Sequence, residues 1–423
     1  MSASRSVPLS PRGRWHIYRQ PTQTRHMHRI RAFLVALAGA LSVVCACAQA
    51  SAMASSACAR PMGRDLPSGA MNPRTMAAEP FVRLLKSFDE QKLDIRALLV
   101  LKDCVVVLER YKEGLTRDHN HAIYSATKSI VSTLVGVELN NGRLAGIDLP
   151  VSRIMSRPSG TRERDWERAS TLTLRNVMNM ASGFAYTHNP SFGPLYDTRT
   201  NGFNYALSQE VAARPGERFN YSDADASVTG AVVASVAGED LYAFARRALF
   251  DPLQMFNHAW WFRDVAGRYP GGWGLRMRPM DMLKVGQLYI QNGVWNDSIV
   301  FHPSYPALAW APGVSPRYGL HWWIGAPDKS GEVDHYAAMG FKGQRIYVFP
   351  SLGIVAVVVA SLSLVDERQV DTAILAAIRT SVSQTRAPTA GDESRSQLSQ
   401  LVRSGFRGVT RVRQSDQDWP RSP

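Results

Sequence analysis

The sequence contains few cysteines, few lysines and a single long apolar run. Four cysteines among 423 residues are too few for a disulfide-stabilised scaffold. Only eight lysines accompany 41 arginines, so each lysine can be weighed individually as a functional residue. Hydrophobic residues make up 45% and charged residues 20% of the chain, which is ordinary for a globular protein. This composition excludes collagenous, coiled-coil and wholly disordered classes.

The net charge of +14 would suggest nucleic-acid binding if it were concentrated on the folded part of the chain. Residues 1–32, however, carry seven arginines and no acidic residue, and residues 383–423 carry seven arginines and four acidic residues. These two segments account for +10 of the charge and leave only +4 for the 350 residues between them. We therefore expect no nucleic-acid partner.

Residues 1–50 have the pattern of an N-terminal extension with an export signal. Arg29 and Arg31 precede the apolar run at residues 32–44, and small residues at 48–50 follow it as an A-x-A cleavage pattern. The run is short for a transmembrane helix, although an uncleaved anchor is an alternative. Cys47 lies in a stretch that loosely resembles a lipoprotein box. The pattern predicts a periplasmic or secreted protein whose membrane contact is limited to the signal or to a lipid anchor at Cys47.

Composition divides the rest of the chain into three parts. Residues 51–79 are rich in Ala, Ser, Pro and Met without a steady period, and we predict a linker there. Residues 80–382 have a coherent pattern of strands and helices and are predicted to form one domain. Residues 383–423 are rich in Ser, Gln, Arg and Pro and are predicted to be a disordered basic tail. Cys58 and Cys104 either pair in an oxidising compartment or leave Cys104 as a buried thiol, and the sequence supports both.

The domain has strand hairpins at its two ends and helices in its middle. Alternating or continuous apolar runs bounded by turn residues predict strands, and apolar residues three or four apart predict helices. The predicted strands are 95–101, 104–111, 343–349 and 353–360, and the predicted helices are 125–140, 172–180, 225–236, 240–249, 279–291 and 365–380. This order predicts an α/β (α+β) fold, with one antiparallel sheet from both chain ends, flanking helices and a helical subdomain. A site is expected between the two parts.

Ser125 and Lys128 open the first predicted helix and are three residues apart, so they share one face. A serine hydroxyl needs a nearby base to become a nucleophile, and a lysine can supply it if its surroundings favour the neutral amine. The backbone N–H of Ser125 at the helix start can hold a developing oxyanion. The alternative is that Ser125 caps the helix and Lys128 lies on a solvated face.

Two further segments contain residues that fit this chemistry. Tyr221, followed by Ser222 and Asp223, precedes the next helix, and a tyrosine there can move a second proton. Gly340 opens the terminal hairpin, and a glycine allows the backbone to approach a ligand closely. The N–H of Phe341 after it can complete an oxyanion hole. The alternatives are a core tyrosine and an ordinary turn.

Ser125-x-x-Lys128, Tyr221-Ser-Asp223 and the Gly340 strand together resemble, in order and spacing, the serine β-lactamase and penicillin-binding-protein superfamily. The chain is most similar to its class C-like branch, which includes esterases and 6-aminohexanoate-dimer hydrolases. The resemblance covers about residues 80–380. It implies a β-lactamase/transpeptidase-like fold. Three further stretches fit the same branch, at residues 172–183, 271–281 and 318–323.

The resemblance implies a role for each matching residue. Ser125 corresponds to the acylated nucleophile, Lys128 to the base that deprotonates it, and Tyr221 to the proton shuttle. The backbone N–H groups of Ser125 and Phe341 correspond to the oxyanion hole. Tyr186 lies where the family places a cleft loop, which makes it a candidate substrate contact. The family uses no metal or organic cofactor here, and none is expected.

The chain departs from the family pattern at two places. Asp223 stands where the family commonly has Asn, and a carboxylate next to Lys128 would favour the ammonium form over the base. Ala338 and Met339 precede Gly340 where the family commonly has Lys or His followed by a small residue, and Lys342 lies two residues after that glycine. In a continuous strand this offset would place Lys342 on the same face as Gly340, so both are candidate substrate contacts, as is Asp223.

Taken together, these residues predict an exported serine hydrolase that cleaves a small amide or ester through an acyl-enzyme on Ser125. The displaced cation argues against efficient β-lactam hydrolysis. A D-amino-acid peptidase, a weak penicillin-binding activity and a catalytically silent cell-wall-binding protein stay open as alternatives. The expected partner is the small-molecule substrate, and the oligomeric state is not predicted.

Overall fold

A computed structural model describes Cys58 and residues 61–187, 193–260, 262–385 and 391–406. The predicted export signal at residues 1–50, including Cys47, lies outside the described residues. Within them, eleven short or long strands are found: β1 Ile95–Lys102, β2 Val105–Tyr111, β3 His121–Ala122, β4 Ala259–Trp260, β5 Leu275–Met277, β6 Val294–Trp295, β7 Ser298–Ile299, β8 Trp323–Ile324, β9 Tyr336–Gly340, β10 Gln344–Phe349 and β11 Ile354–Ala360.

The described α-helices lie before the sheet, between its two halves and after it. They are α1 Glu79–Glu90, α2 Thr127–Asn140, α3 Val151–Ile154, α4 Glu163–Arg168, α5 Leu174–Met178, α6 Gly202–Ser208, α7 Asp223–Ala237, α8 Leu241–Ala245, α9 Pro279–Ile290, α10 Tyr305–Ala309, α11 Leu364–Ser383 and α12 Gly391–Ser404. None of these described helices alone is long and apolar enough to cross a membrane, and only one pair, Asp223–Ala237 with Leu241–Phe250, passes that test jointly, bent by 73°.

The main sheet is antiparallel and has the strand order β2-β1-β11-β10-β9-β8, so both ends of the domain build it. β1 pairs with its hairpin partner β2 on one side and with β11 on the other, where Leu99 faces Val357. The hairpins were expected from apolar runs separated by short turns, and the structure confirms them to within a few residues. The predicted antiparallel sheet with flanking helices is also confirmed.

Both faces of the sheet are covered. One face packs against α1 and α11, and the other packs against α9 and the helical subdomain. The helical subdomain is the part of the chain between β3 and β4, which contains α2 to α8. β11 is buried along its whole length, as expected for a strand between two layers. A Cβ on Gly286 of α9 would lie 2.5 Å from a methyl group of Val355, so only glycine lets α9 approach the sheet this closely.

Two predicted boundaries need correction. Residues 61–79, predicted as part of a linker, include Met62, Leu66 and Met76, which are buried against the domain. The predicted disordered tail includes helix α12, whose Leu398 is buried between α1 and β2. Phe406 after it continues the sheet edge, since its N–H donates to the carbonyl of Tyr111 at 2.9 Å. Average composition concealed these few apolar residues, whose spacing gives α12 one apolar face.

Cys58 and Cys104 form a disulfide with 5.7 Å between their Cα atoms. Cys104 lies in the turn between β1 and β2, and Gln287 of α9 approaches its sulfur to 3.4 Å. The bond therefore ties the segment that precedes the domain to the first hairpin. The sequence left open whether Cys104 pairs with Cys58 or is a buried free thiol, and the structure shows the pair.

Reduction of this disulfide should destabilise the protein. The bond closes a loop between residues 46 positions apart, and releasing it increases the entropy of the unfolded chain. We expect a loss of about 2–4 kcal/mol in the free energy of unfolding. Denaturant unfolding with and without reductant measures it, with the Cys58→Ser/Cys104→Ser double variant as control. If the free energy of unfolding of the wild type is the same with and without reductant, the prediction is contradicted.

Candidate active site

Ser125 lies in a 3-10 turn, Tyr124–Ala126, directly before α2. Tyr124 has a positive φ of 47°, which bends the chain sharply in front of the serine. The helix itself begins at Thr127, two residues later than predicted, and its cap position is Ala126. Ser125 is therefore not the helix cap, and it stays half-exposed. The alternative of a capping serine is wrong.

Lys128 is buried, with 1% of its side chain exposed, so the alternative of a solvated face is also wrong. Its Nζ lies 3.1 Å from Ser125 Oγ, 2.5 Å from Asp223 Oδ1 and 3.0 Å from the carbonyl oxygen of Gly272. The ring centroid of Tyr221 is 5.0 Å from the same nitrogen. The structure thus brings together Ser125, Lys128, Tyr221 and Asp223, as predicted from the motifs.

Two opposing effects act on the pKa of Lys128. Burial lowers it, because desolvation disfavours the ammonium, while the Asp223 carboxylate and Tyr221 raise it. The net direction is upward. Lys128 is therefore held as an ammonium at rest, and Asp223 does face it, as the sequence departure from Asn had suggested.

Asp223 is positioned by the start of α7 and by a tyrosine that the sequence analysis missed. Ser222 caps that helix by accepting a hydrogen bond from the N–H of Asp225 at 3.1 Å. Tyr196 donates its hydroxyl hydrogen to Asp223 Oδ2 at 2.5 Å, while Asp223 Oδ1 faces Lys128. The Tyr196 ring packs on Trp273, with centroids 4.9 Å apart. Burial raises the pKa of Tyr196, which keeps it a hydrogen-bond donor.

Tyr221 is held in place by aromatic rings. It stacks on Trp323, with centroids 5.6 Å apart, and meets Tyr318 edge-on at 6.1 Å. Trp323 belongs to β8, the edge strand of the sheet, so the sheet itself fixes the tyrosine that the helical subdomain supplies. The packing restricts the ring to an orientation in which its face lies towards Lys128.

The end of β9 presses against the Ser125 turn. A Cβ on Gly340 would lie 2.1 Å from the carbonyl oxygen of Ile123, so no residue other than glycine fits without movement. Next to this contact the ring of Phe341 meets Tyr124 edge-on, with centroids 5.9 Å apart. The two backbone N–H groups expected to form the oxyanion hole, at Ser125 and Phe341, therefore belong to elements in direct contact.

Lys342 does not follow the strand argument made from the sequence. β9 ends at Gly340, and Lys342 lies in the turn to β10 with a positive φ of 64°. The alternation of strand faces does not extend into a turn, so the expected shared face with Gly340 is lost. The backbone N–H of Lys342 instead donates to Glu367 Oε1 at 2.8 Å.

Tyr186 is half-buried on the loop that follows α5, close enough to the site for its titration to depend on Asp223. Burial first, and then that carboxylate, raises the pKa of Tyr186. Asn220, next to Tyr221, donates to the carbonyl oxygen of Tyr186 at 2.9 Å. The base of the loop is held by Ser182, whose hydroxyl donates to the buried Asp225 at 2.6 Å. The structure thus places Tyr186 beside the predicted site.

Two residues that contact the site were not assigned a role from the sequence. Gly272 was part of a stretch that fits the family, but nothing in that stretch identified its carbonyl as an acceptor for Lys128. A Cβ there would lie 2.8 Å from Asp223 Oδ1, which explains the glycine. Tyr196 lies in a short 3-10 turn without periodicity, and no sequence signal indicated it.

Comparisons with known proteins agree on the fold. A candidate beta-lactamase from Bacteroides dorei superimposes with a TM-score of 0.61 at 17% identity, covering 72% of this chain and all of that one. A penicillin-binding-protein homologue from Caulobacter crescentus superimposes with a TM-score of 0.56 at 13% identity, covering 73% and 99%. These similarities place the chain in the β-lactamase/transpeptidase fold.

Residues 82–379 match the Beta-lactamase family, and the chain belongs to that family. It is 25% identical over 342 residues to the 6-aminohexanoate-dimer hydrolase of Paenarthrobacter ureafaciens, covering 71% of this chain and 83% of that protein. The chain is thus a hydrolase of the Beta-lactamase family, related to 6-aminohexanoate-dimer hydrolase. The resemblance to the β-lactamase and penicillin-binding-protein superfamily is confirmed at the level of the family.

Replacing Gly340 by Ala should disable the site while leaving the fold. The added methyl group would force β9 away from the carbonyl of Ile123 and move the Phe341 N–H from its place. We expect at least about a 100-fold loss of acylation rate, the size of effect seen when one oxyanion donor is lost. Rapid-mixing kinetics with an activated ester measure the acylation rate.

Gly146→Ala is the matched control, because a Cβ there meets nothing within 4 Å. It should behave like wild type. A Gly340→Ala variant that acylates at the wild-type rate would show that the β9 contact does not position the site.

Replacing Asp223 by Asn should change the pH dependence of the reaction. The carboxylate raises the pKa of Lys128, so the neutral amine that can accept a proton is populated only at higher pH. Without the carboxylate that pKa falls. We expect the ascending limb of kcat/KM against pH to move to lower pH by at least about one unit.

Tyr196→Phe is the control for this variant, since it removes a hydrogen bond to Asp223 but keeps the negative charge. Its limb should stay closer to wild type than that of Asp223→Asn. An unmoved limb, or one displaced to higher pH, in Asp223→Asn would show that Lys128 acts as an ammonium.

Proposed function

We propose that the protein is an exported serine hydrolase that cleaves a small amide or ester through an acyl-enzyme on Ser125. The contact between Ser125 Oγ and Lys128 Nζ, at 3.1 Å, is the observation that carries the proposal. Burying Lys128 costs desolvation free energy even with Asp223 beside it, and apolar side chains of similar size could fill this space without that cost, so structure alone gives little reason for the lysine. A nucleophile with an adjacent base explains why the fold retains it.

Acylation begins when Lys128, in its neutral form, takes the hydroxyl proton of Ser125. The oxygen then forms a bond to the carbonyl carbon of the substrate, and the carbonyl π electrons move to its oxygen. The N–H groups of Ser125 and Phe341 hold the resulting oxyanion. In this scheme Asp223 keeps the lysine in place and stabilises the ammonium that forms.

The tetrahedral intermediate collapses when the bond to the leaving group breaks. Tyr221 gives its phenolic proton to the departing nitrogen or oxygen and recovers a proton from Lys128. Water then attacks the acyl-enzyme, giving one proton to the same residues, and the carbonyl is restored as Ser125 leaves with a proton. The products are a carboxylic acid and an amine or alcohol, and the enzyme returns to its starting state.

The proposed substrate class rests on the two residues before Gly340. Neither Ala338 nor Met339 offers a positive charge there, whereas a β-lactam or peptide carboxylate needs one for recognition. The relationship to 6-aminohexanoate-dimer hydrolase supports a small linear amide, and the aromatic surroundings of Tyr221 support an apolar acyl chain. These observations favour small amides and esters over β-lactams and stem peptides.

Export is supported by two independent features. Residues 32–50 combine an apolar run with small residues, as in a signal peptide. The Cys58–Cys104 disulfide is the kind of bond that persists in oxidising compartments such as the periplasm. Both features favour a periplasmic or secreted enzyme.

A fluorophosphonate probe tests the proposal directly. We expect intact-protein mass spectrometry to show one adduct on wild type and none on Ser125→Ala. Ser129→Ala is the matched control, because that buried hydroxyl donates to the carbonyl of His321 and does not face Lys128. It should label like wild type.

Labelling with this probe, together with substrate turnover and cell fractionation, distinguishes the remaining alternatives. Folded wild type without an adduct would overturn the hydrolase and favour a silent binding protein, whose cell-wall affinity would survive Ser125→Ala. Turnover of nitrocefin faster than of nitrophenyl esters would overturn the proposed substrate class. Labelled protein confined to the cytoplasm of fractionated cells would overturn export.

A further inference from the structure

A buried ion cluster lies behind the end of β9, directly before Phe341, and the mechanism above makes no use of it. The cluster, named here the Arg345 network, consists of Arg345, Tyr347, Glu367 and Asp371. Only 6% of the Arg345 side chain is exposed. Arg345 and Tyr347 belong to β10, while the two carboxylates belong to α11. A buried cluster of this kind is weak evidence for stability by itself, so its contacts decide its purpose.

One contact reaches the active-site strand. Arg345 Nη1 donates to the carbonyl oxygen of Gly340 at 2.6 Å. That carbonyl and the N–H of Phe341 are the two ends of one peptide group. A charged donor bound to the Gly340 carbonyl fixes the plane of this peptide group and polarises it. The polarisation makes the Phe341 N–H of the same peptide a stronger hydrogen-bond donor.

The peptide on the other side of Phe341 is held by the same network. The N–H of Lys342 donates to Glu367 Oε1 at 2.8 Å, and Glu367 Oε2 accepts from Arg345 Nη2 at 2.8 Å. The carbonyl before Phe341 and the N–H after it are thus joined through a single Arg–Glu pair. Rotation of the Phe341 N–H requires that at least one of these bonds breaks.

The rest of the network anchors the arginine. Asp371 accepts from Arg345 Nε and Nη2, both at 2.9 Å, and also accepts the hydroxyl hydrogen of Tyr347. Burial would lower the pKa of Arg345, but the neighbouring groups raise it above its usual range, so the guanidinium stays charged. Neither Asp371 nor Tyr347 is bonded to the peptides around Phe341 in the described structure.

We propose that Arg345, assisted by Glu367, is a positioning residue for the oxyanion hole: it orients and polarises the Gly340–Phe341 peptide so that the Phe341 N–H points at the developing charge. This inference rests on the proposed function, because it assigns a task only if an oxyanion forms at Ser125. Glu367 and Asp371 both lie on α11, which packs on the face of the sheet opposite to α9. This helix therefore also takes part in positioning the peptide.

Arg345→Gln tests the role against Tyr347→Phe. Both variants weaken the same network, but only the first removes the bond to the Gly340 carbonyl. For a nitrophenyl ester we expect Arg345→Gln to lower kcat about 10- to 100-fold, with KM changed less than about two-fold. Tyr347→Phe should keep kcat within about two-fold of wild type, even if thermal unfolding shows equal loss of stability.

Binding of a boronic acid, which forms a tetrahedral adduct on serine, provides a second readout. Arg345→Gln should weaken the boronate by the same factor as kcat/KM, because both report stabilisation of a tetrahedral oxyanion. If Arg345→Gln does not fold, Arg345→Lys replaces it, with an expected loss of about 3- to 10-fold, since lysine keeps the charge but cannot make every bond.

The outcomes separate the inference from the proposed function. If wild type labels on Ser125 and hydrolyses the ester, but Arg345→Gln and Tyr347→Phe lose kcat equally, the cluster is merely structural and the inference is overturned. The same holds if KM rises while kcat is kept. If wild type does not label, the proposed function fails, and the assigned role fails with it.

Discussion

The burial of Lys128 is the constraint around which the site is arranged. A charged lysine in the interior is tolerated only with a close counter-charge and further hydrogen-bond acceptors. Asp223 at 2.5 Å and the carbonyl of Gly272 at 3.0 Å meet this need, and they come from two segments far apart in sequence. Removing Asp223 would leave the ammonium without a counter-charge, and removing the carbonyl would leave one of its hydrogens without an acceptor. The lysine therefore ties α2, α7 and the loop before β5 to one point.

The two parts of the fold divide the chemistry between them. In the proposed mechanism the helical subdomain supplies Ser125, Lys128 and Tyr221, while the turn after β9 supplies Phe341. They meet where Gly340 touches the carbonyl of Ile123, a contact that leaves no room for a side chain. Because protein interiors are close-packed, a shift at this contact would be transmitted to both oxyanion donors. The antiparallel sheet is thus a rigid support for one half of the site.

Much of this arrangement was predictable because it depends on local patterns. The hairpins β1–β2 and β10–β11 follow from apolar runs and tight turns, and the motif spacings identified the residues around Lys128. Tyr196 was not predictable, because its contact with Asp223 joins an irregular turn to a helix 27 positions later. Lys342 was misplaced because the strand ends two residues before it. Helix α12 was missed because the high content of Ser, Gln, Arg and Pro in its segment indicates disorder, and the few apolar residues at helical spacing were not considered.

Asp223 shows how one residue can serve stability and oppose catalysis. The charge that makes a buried lysine tolerable also holds its proton, so at neutral pH little of Lys128 is in the neutral form that can accept a proton. Arg345 is likewise a buried charge with close counter-charges, Glu367 and Asp371. Its guanidinium, however, binds the carbonyl oxygen of Gly340.

The two ion clusters share no residue, and Ser125 lies between the elements that they hold. In the proposed mechanism the Lys128–Asp223 pair acts on proton transfer, whose effect depends on pH, and the Arg345 network acts on the oxyanion, whose effect does not. Independent sites contribute additively to a free energy, whereas groups in one network do not. The effects of the Lys128–Asp223 pair and of the Arg345 network on the transition state should therefore add, even though both converge on a single serine.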